Sequence, residues 1–332
     1  GEFSRRAFLN DRLDLVQAEA IADLIDAGSR QAARSAMRSM TGEFSARVHD
    51  VVEHVLTLRM MMEAAIDFPE EEIDFLSDAE YTRRMEDLIE RITVLSQTAR
   101  QGELLSSGVD VVLAGRPNAG KSSLMNRLAG ADRAIVSEIP GTTRDTVDVH
   151  IQLDGLPVRL VDTAGIRSSG DLIEVEGVRR AEAALAEADI VLHVLDDSLD
   201  EHESLESDAR VLRVYNKVDL SERTPGLIDA DTVAISAGTG AGIDALLKAI
   251  KNVCGYSPVG ETTVVARRRH VDAIRSAAEH IHAARDRLTV DRAGELAAEE
   301  LRLAQQYLGE ITGTVTSDDL LGRIFASFCI GK

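Results

Sequence analysis

Apolar residues recur every three or four positions along the first hundred residues of the chain and again after about residue 262. That spacing lines one face of an α-helix and predicts amphipathic helices. We expect helices over residues 13–25, 31–66, 78–101, 270–288 and 293–311. The acidic run Glu70–Glu72 lies between two of them, after Pro69. It is either a solvated connection or a contact to a partner or metal.

The middle of the chain has a different pattern. Short apolar runs rich in β-branched residues, typical of strands buried in a parallel sheet, alternate there with helical segments. Strands are expected over 109–114, 147–153, 158–161, 190–195, 211–215 and 233–235, and helices over 123–128, 174–186 and 243–253. The alternation predicts an α/β domain with a mixed, mostly parallel sheet and helices on both faces.

The two patterns together predict the domain organisation. Neither helical flank alone has a large core, so we expect the two flanks to pack together as one all-α helical bundle. The α/β domain, residues 106–258, would be inserted into that bundle, which is formed by 1–105 and 259–332. Residues 1–12 resemble the end of a truncated N-terminal domain, because the chain begins in mid-domain sequence.

Composition narrows the class of protein. Hydrophobic residues make up 44% of the 332 positions, which is enough for ordinary cores. The net charge of −20 argues against general affinity for nucleic acid or membranes. No run approaches the roughly 20 uncharged apolar residues that cross a bilayer. The two cysteines, Cys254 and Cys329, cannot form a disulfide framework, which indicates a reducing cytoplasm. Cys254 is expected to pack in a core.

A phosphate-binding motif opens the α/β domain. Gly115–Ser122 matches the GxxxxGKS pattern and lies between a predicted strand and a predicted helix. The glycines allow backbone N–H groups to converge on phosphate oxygens, and the helix N-terminus adds its dipole. Lys121 would contact the β- and γ-phosphates, and Ser122 would bind Mg²⁺. The expected nucleotide contacts here are Asn118, Ala119, Gly120, Lys121, Ser122 and Ser123.

A second motif selects the base. Asn216-Lys217-Val218-Asp219 follows a predicted strand. The Asp219 carboxylate can accept both the N1–H and the 2-amino hydrogens of guanine, which adenine cannot supply. Ser236-Ala237, after the next strand, fits a loop that reaches the guanine oxygen through a backbone N–H. The sequence therefore predicts GTP rather than ATP.

Two further segments complete a GTPase site. Asp162-Thr163-Ala164-Gly165 ends a strand; Asp162 could hold Mg²⁺ through water, and Gly165 could donate its N–H to the γ-phosphate. Thr143 is a second expected Mg²⁺ ligand from a switch loop. The loop contacts to GTP would be Ser137, Glu138, Ile139, Pro140, Gly141, Thr142 and Thr143. The order of these elements resembles the translation-factor-like GTPases over about residues 108–255.

The residue after the DxxG glycine is Ile166, which cannot orient water as the glutamine of Ras-like enzymes does. Asn118 and the threonine-rich switch loop resemble the potassium-activated GTPases, in which K⁺ supplies the missing positive charge. Carried over, the K⁺ ligands would be Asn118, Ser137, Ile139 and Thr142. The alternative for Asn118 is a residue that stabilises the turn.

Segments outside these motifs also resemble one family. They are Gly1–Phe3, Arg6–Asn10, Gln17–Ala20, Ala65–Pro69, Arg267–His270 and Phe328–Lys332. With the GTPase motifs they make the chain similar, from end to end, to the MnmE (TrmE) family of bacterial and organellar tRNA-modification GTPases. The folate-binding, dimerising N-terminal domain of that family would be absent from this sequence.

The resemblance implies a reaction and its partners. Members act with the flavoprotein MnmG to add an aminomethyl or carboxymethylaminomethyl group to C5 of the wobble uridine of certain tRNAs. A tetrahydrofolate derivative donates the one-carbon unit, and GTP is hydrolysed to GDP and phosphate. The implied cofactors are Mg²⁺, K⁺ and the folate. The implied partners are GTP or GDP, MnmG, tRNA and a second copy of the chain, in the cytoplasm and without a membrane.

The resemblance also implies roles for particular residues. Glu174, three residues before a glycine, would be the general base acting through bridging waters; Glu176 is a competing alignment, and a solvent-exposed carboxylate is the plain alternative. Cys329 would be the functionally required cysteine, either a nucleophile or a buried structural residue. Arg12 and Lys332 match folate-contacting positions. Apart from the resemblance, the charge of the Arg267–Arg269 cluster at the start of a helix suggests contacts to tRNA phosphates or salt bridges with acidic flanks.

Two other functions stay open. The chain could be a regulatory GTP-binding switch for ribosome assembly, as in the related Era and Der families, although those carry KH-type domains or tandem G domains. Without its N-terminal domain it could also act only as a GTPase module, which hydrolyses GTP but cannot modify tRNA.

Overall fold

The computed structural model describes residues 1–27, 30–67, 79–130, 148–162, 183–199, 205, 207, 209–257 and 264–314. The chain divides into two compact units. One unit combines Gly1–Ser106 with Val259–Lys332, and the other is Ser107–Pro258. We call them the helical unit and the G unit. Among the described residues, no helix is both long and apolar enough to cross a membrane.

The helical unit is built from helices of both flanks. They are α1 (Glu2–Leu9), α2 (Leu15–Ile25), α3 (Arg30–Met40), α4 (Glu43–Asp67), α5 (Ala79–Ser107) and, after the G unit, α8 (Arg268–Thr289) and α9 (Gly294–Thr312). Helix α2 begins with a capping box, in which the Asp14 side chain accepts from the Gln17 N–H and the Gln17 side chain accepts from the Asp14 N–H.

The single helix predicted over 31–66 is wrong, because the structure divides it into α3 and α4 at Thr41 and Gly42. Gly42 has φ +89°, a left-handed conformation that glycine adopts without steric cost. The Thr41 hydroxyl donates to the carbonyl of Arg38 and satisfies one of the free carbonyls at the end of α3. The apolar periodicity continues across this break, so it did not indicate the break.

One hydrophobic core joins the two flanks of the helical unit. Phe44 of α4, Leu88 of α5, Ile274 of α8 and Leu301 of α9 all belong to it and are fully buried. Residues distant in the sequence thus supply the apolar area that neither flank has alone, as predicted.

The G unit is a seven-stranded sheet with the strand order β2-β3-β1-β4-β5-β7-β6. Its strands are β1 (Val109–Ala114), β2 (Asp148–Leu153), β3 (Leu156–Asp162), β4 (Ile190–Asp196), β5 (Arg210–Asn216), β6 (Gly226–Asp229) and β7 (Thr232–Ala234). Strands β2 and β6 run antiparallel to their neighbours, and the other pairings are parallel. The helices are α6 (Lys121–Ala129) and α7 (Ile243–Cys254).

The predicted fold class is therefore confirmed. A P-loop domain with a mixed, mostly parallel sheet is inserted, in the sequence, between the two helical segments that form one all-α unit. Sequence reasoning missed the edge strand β6, whose residues are mostly exposed and which is only four residues long. Cys254 is buried at the end of α7, as expected. Of the helix predicted over 174–186, only the last residues lie in the described part of the chain, and residues 183–187 are helical.

Candidate functional site

The phosphate loop, residues 115–120, connects β1 to α6 at the carboxyl end of β1. Two of its positions require glycine. A Cβ on Gly115 would lie 2.2 Å from the carbonyl oxygen of Val194, and Gly120 caps α6 with φ +95°. Asn118 also has a positive φ, of 65°. The loop therefore has the compact, left-handed turns that direct backbone N–H groups towards an anion at a helix N-terminus.

Lys121 lies inside this loop. Its Nζ donates to the carbonyl oxygens of Gly115 and Arg116 at 2.7 and 2.8 Å, and the residue is 5% exposed. The loop thus holds a buried ammonium group by its own carbonyls, beside the amides that would bind phosphate. A bound polyphosphate would supply the countercharge that a buried cation needs.

Ser122 and Asp162 meet next to the loop. The Ser122 hydroxyl donates to Asp162 Oδ2 at 2.9 Å, because β3 lies parallel to β1 and ends at the same edge of the sheet. The structure thus brings together two of the residues that the sequence assigned to Mg²⁺. A hydroxyl and a carboxylate are the hard oxygen ligands that Mg²⁺ prefers, so this pair fits the ion.

Asn216 links the phosphate end of the site to the base end. Its amide nitrogen donates to the carbonyl of Ala119 at 2.8 Å, and its amide oxygen accepts from the N–H of Ala237 at 2.9 Å. The side chain is 2% exposed, so both hydrogen bonds are shielded from water. Since a Cβ on Gly120 would lie 2.2 Å from the Asn216 amide nitrogen, the loop and this side chain fit each other closely.

Lys217 and Asp219 follow at the carboxyl end of β5. Lys217 has φ 65°, and its Nζ pairs with Asp196 Oδ2 at 2.6 Å. Burial alone would raise the pKa of Asp196, but hydrogen bonds from Lys217 and Ser198 lower it below its usual value. Asp219 lies in a single 3-10 turn, Val218–Leu220, with its side chain exposed. The lysine is thereby fixed, and the aspartate is left accessible to a base.

Sequence reasoning missed Asp196 and Arg127. Arg127, on α6, donates through Nε to the carbonyl of Ala237 at 3.0 Å and through Nη2 to the carbonyl of Gly238. Only the fold brings this arginine to a loop 110 residues later in the chain. A basic residue in the last turn of a helix is expected on dipole grounds alone, so the sequence did not set Arg127 apart.

Known proteins resemble this chain over its full length. The family described as the MnmE helical domain matches residues 15–329. The tRNA modification GTPase MnmE of Stutzerimonas stutzeri strain A1501 is 51% identical over all of this chain and 76% of that protein. MnmE of Legionella pneumophila strain Paris is 52% identical with the same coverage. The chain belongs to the MnmE family.

Among solved structures, Era of Aquifex aeolicus bound to GDP·AlF4⁻ is 26% identical and covers 52% of this chain and 66% of that one, with a TM-score of 0.32. Membership of the MnmE family rests on the full-length relatives and the helical-domain match.

Several residues that the GTPase motifs or the family resemblance implicated lie outside the described part of the chain. They are Ser137, Glu138, Ile139, Pro140, Gly141, Thr142, Thr143, Thr163, Ala164, Gly165, Glu174, Cys329 and Lys332. Their assignments stay predictions. Ser123 is exposed on the first turn of α6, and Arg12 is exposed just after α1.

The basic cluster at the start of α8 forms ion pairs within the helical unit. Arg267 pairs with Asp23 at 2.7 Å, and Arg269 pairs with Glu19 at 2.6 Å. Arg269 also donates to the carbonyl oxygens of Glu310 and Ile311 at the end of α9. Of the two roles considered for this segment of the MnmE sequence, the structure shows salt bridges for both of these arginines.

Proposed function

We propose that this chain hydrolyses GTP to GDP and phosphate as part of tRNA modification in the cytoplasm. The observation that carries the GTPase assignment is the buried Asn216 side chain, which ties the phosphate loop at Ala119 to the base-side loop at Ala237. Membership of the MnmE family supports tRNA modification over a ribosome-assembly switch.

Different residues would bind the phosphate end and the base end of the nucleotide. Lys121 and the phosphate-loop amides would neutralise and orient the β- and γ-phosphates, with Ala119, Gly120 and Ser123 as contacts. Ser122 and Asp162, with the predicted ligand Thr143, would hold Mg²⁺, which supplies positive charge to the phosphate oxygens when bound. Asp219 would accept the two guanine N–H groups that distinguish GTP from ATP.

Potassium activation belongs to the same proposal. Asn118 lies exposed in the phosphate loop, where its carboxamide oxygen is a suitable ligand for a monovalent cation. Ser137, Ile139 and Thr142 would complete the ligand set, and Glu174 would act as the general base through water. The aliphatic side chain of Ile166 can form no hydrogen bond to the attacking water, so another residue would have to orient that water.

The remaining assignments follow from the family resemblance. A flavoprotein partner, MnmG, and a tetrahydrofolate derivative would take part in modifying C5 of the wobble uridine. Arg12 and Lys332 would contribute to folate binding, and Cys329 would be the required cysteine. The active assembly would be a homodimer through its G domains.

GTP turnover measured in matched KCl and NaCl buffers tests the core of this proposal, with ATP as the control nucleotide. We expect GTP to be hydrolysed faster in K⁺ than in Na⁺, and ATP to stay intact. Asp219→Asn should lose guanine selectivity, whereas Glu222→Gln, a nearby exposed acid, should not. Equal GTP rates in both salts would contradict potassium activation, and hydrolysis of ATP at the GTP rate would contradict the guanine assignment.

A further inference from the structure

Helix α3 carries three arginines on one face. Arg30, Arg34 and Arg38 are spaced by four residues, so they follow one line along the helix, with steps of about 6 Å. Arg30 and Arg34 are exposed, and the side chain of Arg38 is 35% exposed. The helix contains no aspartate or glutamate, although the net charge of the chain is −20. We call this line of positive charge the α3 arginine face.

The charge of the α3 arginine face is poorly neutralised. Within the described ranges of the chain, the side chains of Arg30 and Arg34 form no hydrogen bond or ion pair. Arg38 Nε lies 4.0 Å from Glu43 Oε2, but the same carboxylate is closer to Arg47, at 3.1 Å. The guanidinium groups on this face therefore keep donors and charge that an anion from outside the unit can use.

Exposed arginines on other helices of the helical unit have a different environment. Arg83, Arg275 and Arg302 each pair with an acid three residues earlier on the same helix, at 2.8 or 2.9 Å. Arg267 and Arg269, in the cluster that the sequence suggested for tRNA phosphates, are also neutralised by ion pairs. The α3 arginine face differs from all five of these residues in having charge left over for a ligand.

A stabilising role within the helix does not explain these arginines. Arg30 is the first residue of α3, where a positive charge opposes the helix dipole. Like charges four residues apart repel each other, so Arg34 is unfavourable beside both of its neighbours on the face. The opposite face fixes the helix, because Ser39 Oγ donates to the Val265 carbonyl and accepts from the Val265 N–H, both at 3.0 Å. A firmly held helix thus presents to solvent an arrangement of charge that costs stability.

We propose that the α3 arginine face binds the phosphate backbone of tRNA. The inference rests on the proposed function in tRNA modification and adds the surface that holds the nucleic acid. A guanidinium group can donate two parallel hydrogen bonds to one phosphate, and steps of about 6 Å along the helix are on the scale of the distance between neighbouring phosphates of an RNA strand. Since the chain as a whole repels a polyanion, tRNA binds where positive charge is not neutralised.

Binding of an unmodified tRNA transcript, followed by fluorescence anisotropy between about 50 and 200 mM KCl, tests the proposal. A variant that combines Arg30→Gln, Arg34→Gln and Arg38→Gln should bind about tenfold more weakly at the lowest salt, the size expected for three exposed ion pairs. The slope of log affinity against log salt should become shallower by about one for each arginine removed. Lysine at all three positions keeps the charge and should recover most of the affinity and of the slope.

A matched control removes the same charge elsewhere. It combines Arg83→Gln, Arg275→Gln and Arg302→Gln, all exposed arginines that are already paired with an acid. This control should leave the tRNA affinity and the salt slope nearly unchanged. Circular dichroism of each variant identifies misfolding, and Arg34→Gln alone, with an expected slope change of about one, provides the test if the triple variant does not fold.

The outcomes separate the possible failures. If the control weakens tRNA binding as much as the α3 variant does, net charge is responsible and the proposal is wrong. It is also wrong if the α3 variant binds tRNA as tightly as the unmodified chain, including the case in which that variant loses only a protein partner. An unmodified chain that hydrolyses GTP but binds no tRNA would refute the α3 surface and leave the GTPase assignment intact. A chain that binds tRNA through α3 but hydrolyses no GTP would instead refute the proposed function.

Discussion

Replacing Glu19 by glutamine is a sharp test of how the helical unit is stabilised. The Glu19 carboxylate is 1% exposed and accepts three hydrogen bonds. Oε1 accepts from Arg269 Nε at 2.8 Å, and Oε2 accepts from Arg269 Nη2 at 2.6 Å. His270 Nε2 also lies 3.0 Å from Oε2. Glutamine has nearly the same shape, so the substitution changes charge and hydrogen bonding with little change in volume.

The neighbours of Glu19 prevent glutamine from replacing it. His270 Nδ1 accepts from the backbone N–H of Arg267 at 3.0 Å, so a neutral His270 carries its proton on Nε2 and must donate there. Glutamine has one acceptor oxygen, which cannot serve both the His270 side and the Arg269 Nε side. Either orientation of the amide places an NH₂ group against a buried donor, and Arg269 loses its countercharge.

The magnitude follows from the pKa of Glu19. Burial alone would raise that pKa, but hydrogen bonds from His270 and Arg269, together with the charge of Arg269, lower it from 4.5 to about 2. At 1.36 kcal/mol per pKa unit, the ionised carboxylate stabilises the folded unit by about 3 kcal/mol at neutral pH. Because the folded-state pKa is the lower one, this contribution is complete above pH 4.5 and is lost as the pH falls towards 2.

Urea unfolding followed by circular dichroism measures the effect. We expect the helical unit to unfold in the transition that GDP does not shift, since GDP would bind the G unit. At pH 7, Glu19→Gln should lower the unfolding free energy of that transition by about 3 kcal/mol, and the deficit should shrink below pH 4.5. Glu53→Gln, the same change on an exposed face of α4, is the control and should have little effect. A loss below 1 kcal/mol, or a deficit independent of pH, would refute the reasoning.

Three further substitutions have defined outcomes. Gly120→Ala should lower GDP affinity at least tenfold in a binding titration. The added Cβ would lie 2.2 Å from the Asn216 amide nitrogen, and the backbone φ of +95° is unfavourable for alanine. An unchanged affinity would contradict the close fit of the phosphate loop against Asn216. Gly102→Ala should destabilise the helical unit by about 1–3 kcal/mol or more in urea, because its Cβ would lie 2.3 Å from the Val264 carbonyl oxygen. Glu80→Gln should leave the urea midpoint unchanged, because its ion pairs with two arginines are solvent-screened; a clear shift would show that these exposed pairs matter.

The sequence predicted the nucleotide site wherever chemistry depends on local spacing. The strand–loop–helix context of Gly115–Ser122 and the position of Asn216 after β5 both follow from patterns within about ten residues. The motifs assigned Ser122 and Asp162 separately to Mg²⁺, and the structure brings their side chains to 2.9 Å. Predicting these motif positions requires only the residue pattern of the motif and of the strand that precedes it.

The contacts made by Asn216 and Arg127 could not be predicted in this way. The sequence suggested Ser236-Ala237 as the oxygen-reading loop, which stays a prediction, but it did not show that the Ala237 amide donates to Asn216 Oδ1. These contacts depend on how the loop after β7 packs against α6 and the end of β5, and the apolar periodicity carries no information about that. The break between α3 and α4 was missed for a similar reason, since it depends on the backbone conformation of Gly42.

The sequence by itself determined the class of this protein: a guanine-nucleotide domain inserted between helical flanks. The spacing of motif residues and the period of apolar residues reflect the geometry of single helices, strands and loops. That geometry is the same wherever the segment lies in a fold. Only the tertiary structure decided which charges are buried together and which donors remain available. Glu19 meets Arg269, and Arg127 meets Ala237, across separations of 250 and 110 residues. Burial, which sets the strength of these contacts, arises only when distant segments pack.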